Sequence, residues 1–160
     1  MATDYNLIFD KFILKLKGDN SLFTQYSGLT EVEINELVSE HLNSLLNSAV
    51  DKLYEYGLPD IDFYDKDDTL QQFNVDLVPQ EIALLSDLMK LHYASEDLNK
   101  LKTFGVFFRS SEIELFSPAN ERATTLNAIK SLEANVVNSI NNYYSRNRLD
   151  WSLKSIYGGN

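Results

Sequence analysis

The chain has no cysteine, which removes disulfide frameworks, thiolate metal sites and cysteine nucleophiles, and which fits a reducing compartment. Glycine and proline are scarce, six and three in 160 residues, so turns are few and helices are favoured over a many-stranded sandwich or barrel. No apolar run approaches the roughly 20 residues that span a bilayer, and the expectation is a soluble protein with no membrane partner. The opening stretch MATDYNLIFDKFILKLKGDN places Asp4 and Asp10 where a signal peptide carries its basic leader, so no export signal is expected. Cations are outnumbered, with 14 Lys and Arg against 24 Asp and Glu for a formal charge of -10. Such a surface repels phosphate, which argues against a nucleic-acid reader unless the few cations gather in one place.

The 44% hydrophobic content is enough for the core of one domain, and its spacing is helical. Tyr5, Ile8, Phe9, Phe12, Ile13 and Leu16 share one face of a short amphipathic helix that Gly18, Asp19 and Asn20 stop. Thr30 and Glu33 form a capping box for a second helix, whose wide stripe (Ile34, Leu37, Val38, His41, Leu45, Ala49, flanked by Leu42, Leu46, Val50 and Leu53) runs to Gly57-Leu58-Pro59. Pro79 suits the first position of a third helix, with Glu81 against the positive end of its dipole and Ile82, Leu85, Leu88, Met89 and His92 as the buried stripe. Gly105 is expected to break it. Ser117-Pro118 opens a last helix that is expected to reach about Asn147, ~45 Å of helix. Two alternating stretches, Phe73-Val75-Leu77 and Ile113-Leu115, predict a small two-stranded ribbon.

Between the second and third helices the periodicity fails in DIDFYDKDDT. Asp60 and Asp62 have the opening spacing of a calcium loop, yet a register starting at Asp60 puts Asp65 at the glycine position and Gln71 at the bidentate glutamate position. A register starting at Asp65 puts Leu70 and Asp76 there, and neither supplies the turn or the final ligand. The expectation is a solvated loop and no metal. His41 and His92 both fall on apolar stripes, where a histidine satisfied by one neighbour is commoner than a ligand; His92 and Glu96, four apart on one helix, predict a helix-surface contact. There is no HExxH, GxSxG, GxxxxGK[ST] or GxGxxG, so the sequence predicts no catalytic residues, no cofactor and no enzyme.

The ending RNRLDWSLKSIYGGN differs from the acidic body. Arg146, Arg148 and Lys154 face the single acid Asp150, and the only tryptophan, Trp151, stands among Leu149, Leu153, Ile156 and Tyr157. Aromatic and aliphatic anchors beside forked cations are the composition of a partner-binding segment, and an acidic protein surface suits it better than DNA. The expected division is a helical domain over residues 1–145 and a docking arm over residues 146–160.

The order of capped helix, acidic loop, FNVDLVPQEIALLSDLMKLHY, then EIELFSPANERATTLNAIKSLEANVV and a basic tail resembles the head-tail connector, or adaptor, proteins of the necks of tailed bacteriophages. The likeness covers about Thr30 to Tyr144, with Val78 standing where a threonine or serine cap is expected. The resemblance implies a structural virion protein. It would be one subunit of a homo-oligomeric ring, commonly a dodecamer, seated under the portal protein and receiving the tail-side neck proteins. DNA would pass through the channel without specific binding, and the subunit would reside in the host cytoplasm during assembly and in the virion afterwards. The alternative from another class is a small acidic helical binding module, a regulator or inhibitor acting on a basic partner site. In all, the sequence predicts a mainly α fold: a small helical bundle with a long last helix, a short ribbon and an extended C-terminal arm.

Overall fold

The structure, a computed structural model, describes residues 2–16, 30–107 and 118–155. It is mainly helical, as the spacing predicts. Among the described residues are the helices α1 (Asn6–Lys15), α2 (Glu31–Tyr54), α3 (Pro79–Phe107) and α4 (Pro118–Ser145), and the two-residue strands β1 (Thr3–Asp4), β2 (Lys66–Asp67) and β3 (Gln72–Phe73). Helix α3 is the centre, and each of the other three packs on it. Its apolar positions explain this: Leu84, Leu85, Leu88, Met89, Leu91 and Tyr93 are all buried, which is burial on several sides rather than the one stripe expected from Ile82, Leu85, Leu88, Met89 and His92. The helix also continues through Gly105. One glycine inside a helix costs only about 1 kcal/mol, and that does not stop a helix already propagating.

Helix α2 starts where its capping box requires. The Thr30 hydroxyl accepts the Glu33 amide and the Glu33 carboxylate accepts the Thr30 amide at 2.9 Å. Val38, Leu42, Leu45, Leu46, Ala49, Val50 and Leu53 then face α3 and the rest of the core. Helix α1 buries Ile8, Phe9 and Phe12, and Lys15 at its end spends all three ammonium protons on α3. They go to the Ala83 carbonyl at 3.0 Å, the Ser86 hydroxyl at 2.7 Å and the Asp87 carboxylate at 2.7 Å. Helix α4 is 28 residues long, yet only Ile129, Val136, Ile140 and Tyr143 of its described side chains are buried. Asn127, Asn135, Asn138, Asn141 and Asn142 are all exposed.

The ribbon is a three-stranded antiparallel sheet in the order β1-β3-β2. Phe73 is its central residue, as its alternation suggests, but its partners are Thr3 and Lys66; Ile113 and Leu115 lie outside the described residues. Thr3 joins the sheet to the start of α3. Its buried hydroxyl donates to the Val75 carbonyl at 3.0 Å and accepts the Leu77 amide at 2.8 Å. Thr3→Val keeps the shape and deletes both bonds, leaving a buried amide and carbonyl unsatisfied. A loss of roughly 1–3 kcal/mol is expected, read as a fall in melting temperature of about 2–4 °C per kcal/mol, whereas Thr3→Ser should stay near the parent.

Candidate partner-binding site

The acidic stretch after α2 is a solvent-facing loop, with Asp60, Asp62, Asp65 and Asp68 exposed, and its carboxylates are bonded to nearby donors. Asp62 accepts the Tyr54 hydroxyl at 2.9 Å and the Tyr64 amide at 2.9 Å, and Asp51 accepts the Tyr64 hydroxyl at 2.8 Å. Asp65 accepts the Asn74 side-chain amide at 2.8 Å, and Asp67 caps the amides of Thr69 and Leu70. Asp68 takes Lys66 at 2.8 Å and the Tyr5 hydroxyl at 2.7 Å. Those two bonds hold its carboxyl below the usual carboxylate range, while burial and the bond to Asp68 push the Tyr5 phenol up. The carboxylates act as local staples, each consuming oxygens that a cation would need. Among the described residues no group of three or more acidic or histidine side chains is placed to hold a metal ion.

The histidines are divided differently from the sequence reading. Glu96 binds His41 across the α2–α3 contact at 2.8 Å. The expected partner, His92, has its Nε2 buried and unbonded. Burial, then the nearby Lys52 ammonium, pushes the His92 imidazole down from its ordinary value.

The basic tail returns to the body. After α4, residues 146–155 form a tight hairpin closed by the Arg146–Leu153 bridge, the Asn147 amide on the Ser152 carbonyl at 2.7 Å and the Lys154 amide on the Ser145 carbonyl at 2.8 Å. Asp150 accepts the Ser152 hydroxyl at 2.8 Å and fixes the turn. This corrects the expected arm leaving the domain at residue 146, because each of its cations already has an intramolecular partner. Arg148 forks onto Glu81, Nε to Oε1 at 2.7 Å and Nη2 to Oε2 at 3.0 Å, and also reaches the Asp76 carbonyl. Lys154 pairs with Asp60 at 2.8 Å, and Arg146 donates to the Trp151 carbonyl at 2.9 Å with its guanidinium over the indole.

Glu81 is the residue that sequence reasoning undervalued. It is fully buried, and its carboxylate is filled: Oε1 takes Arg148 and the Tyr143 hydroxyl at 3.3 Å, and Oε2 takes Arg148 and the Val78 amide at 2.8 Å. The Glu81 bond to Val78 is half of a capping box, and it explains how a valine can stand at the helix start. Burial and the Glu81 charge push the Tyr143 phenol up, and the bond to Glu81 raises Arg148 further. The available signal was the match between an acid three residues into a helix with no hydroxyl cap and a tail whose three cations share one local acid.

The apolar members of the site separate into two sets. Trp151 is half-buried against the core and forms one wall of a recess of about 210 Å³ with Leu84, Tyr143 and Asp87. Leu149 and Leu153 point outward, 84% and 67% exposed, and Leu58 at 85% lies two residues from the Lys154–Asp60 pair. Ile156 and Tyr157 lie outside the described residues. Beside this face, the Tyr144 hydroxyl lies 2.9 Å from the carbonyls of Leu53 and Gly57; burial pushes its phenol up to about 12.

Two measurements test these assignments. Calorimetric titration with calcium and with zinc is expected to show no stoichiometric submicromolar isotherm, since the aspartates are engaged with protein donors; such an isotherm would overturn the staple reading. For His92 the depressed folded value means that the unfolded chain binds more protons between that value and about 6.5. Its contribution to stability is therefore fully present above about pH 6.5 and is lost as the pH falls through the folded value. His92→Gln should flatten the slope of stability against pH in that window.

Comparison of the chain with protein-family models, with curated proteins and with solved structures finds no match.

Proposed function

We propose that the chain is a structural, non-enzymatic subunit of the head-tail neck of a tailed bacteriophage, an adaptor that assembles as a ring under the portal and bears the tail-side proteins. The reading rests on the order and texture of the segments between Thr30 and Tyr144. It gains support from the exposed apolar set at the C-terminal end. Leu149 and Leu153 stand out of the hairpin, Leu153 next to the Lys154 of the Lys154–Asp60 pair and exposed Leu58 two residues before its acid, and exposed leucines on a tight hairpin are the kind of anchor that a partner groove receives. The mainly bare flank of α4, with its row of asparagines, suits contacts between neighbouring subunits, since amides bond across an interface without the desolvation cost of charges. The acidic surface lets packaged DNA pass without adhering. No helix among the described residues is long and apolar enough to cross a membrane.

A small acidic module that occupies a basic partner site fits the same charge, but it gives the exposed leucines no task. The double variant Leu149→Asp, Leu153→Asp separates the two readings. Both side chains are solvated, so the free protein should melt within about 0.5 kcal/mol of the parent. Incorporation into portal-bearing particles, measured by sedimentation of assembled heads, should fail. Normal incorporation of the double variant would overturn the proposed docking face.

A further inference from the structure

We propose that residues 146–154 form a latch, which closes on the body as one unit through the Glu81–Arg148 pair and opens as one unit about the end of α4, leaving the helices folded. The bonds of the hairpin divide into two classes. Those that shape it are internal: Arg146 to the Trp151 carbonyl, Asn147 to Ser152, and Asp150 to Ser152. Those that attach it are few: the ion pairs of Arg148 with Glu81 and of Lys154 with Asp60, and the Arg148 bond to the Asp76 carbonyl. Its leucines face solvent, and the half-buried Trp151 is the one large apolar side chain of this segment packed on the core. A segment held by charge, with little buried apolar area, is the kind that separates by local opening rather than by global unfolding.

One feature limits the cost of opening once the pair is broken. Glu81 does not become a bare buried charge when Arg148 leaves. The Val78 amide and the Tyr143 hydroxyl remain on its oxygens. Opening frees the indole face and the Arg148 guanidinium together, so a partner that captures them must offer a carboxylate in place of Glu81, and its apparent affinity falls with the closed fraction. Only this use of the latch rests on the docking role proposed above; opening itself is a property of the free chain.

Trp151 is the only tryptophan, so emission and acrylamide quenching report the latch alone. The experiment measures both on the full chain, together with amide exchange, in the parent, in Arg148→Ala and in Glu81→Gln. In each variant the emission should move to the red, quenching should rise toward that of free indole, and the amides of 147–154 should exchange about 10- to 100-fold faster. The amides of α2 and of the first half of α3 should keep parental protection. A shielded indole in both variants, or α2 and α3 losing protection in step with the hairpin in both, would overturn the latch. If Arg148→Ala unfolds outright, Glu81→Gln decides by the same readings, because its side-chain carbonyl can still accept the Val78 amide. Normal particle incorporation of the leucine double variant would overturn the docking face and leave this result untouched.

Discussion

One buried carboxylate organises the junction of three segments. Glu81 sits in the first turn of the central helix, where the helix dipole favours negative charge, and its four acceptor positions are filled by the helix's own start, by α4 and by the hairpin. Such a site is poor evidence for stability as such, since removing an ion from water costs about as much as its pairing returns. Its value is in geometry. A fully solvated glutamate would tolerate any arrangement of its neighbours, whereas a buried one accepts only those that supply donors from the right directions. The end of α4, the Asp76 turn and the start of α3 are fixed relative to one another for that reason.

The same use of acid recurs along the loop between α2 and α3. The carboxylates of Asp62, Asp65, Asp67 and Asp68 each accept a nearby amide, hydroxyl or ammonium, and a loop poor in glycine and proline obtains its turns from side chains. The strong negative charge is therefore partly structural. Much of it is not a general coat for solubility.

The helices were legible because their signals are local. The Thr30–Glu33 box, the Pro79 and Pro118 starts and the apolar spacing each lie within a few residues of what they determine. Two kinds of feature were hidden. Strands of two residues carry no period to read, so Thr3 and Asp4 gave no strand signal. Contacts across long separations were invisible as well: Arg148 is 67 residues from Glu81, and Lys154 is 94 residues from Asp60. A tail whose acids lie that far upstream reads as unpaired and free. Sequence reasoning singled out the cations of the tail, and the intramolecular acids that hold Arg148 and Lys154 lay too far upstream to be matched with them.

The sheet fixes an order of events during synthesis. Thr3 bonds residues more than seventy positions later, at Val75 and Leu77, and Tyr5 closes onto Asp68. At about 5–20 residues per second, the first helix therefore waits several seconds at the mouth of the ribosome with Ile8, Phe9 and Phe12 uncovered, before its sheet partners and the central helix exist. Ile8, Phe9 and Phe12 are made about seventy residues before the sheet partners of their helix, and during that interval the nascent chain carries a short apolar helix with nothing of this fold to cover it.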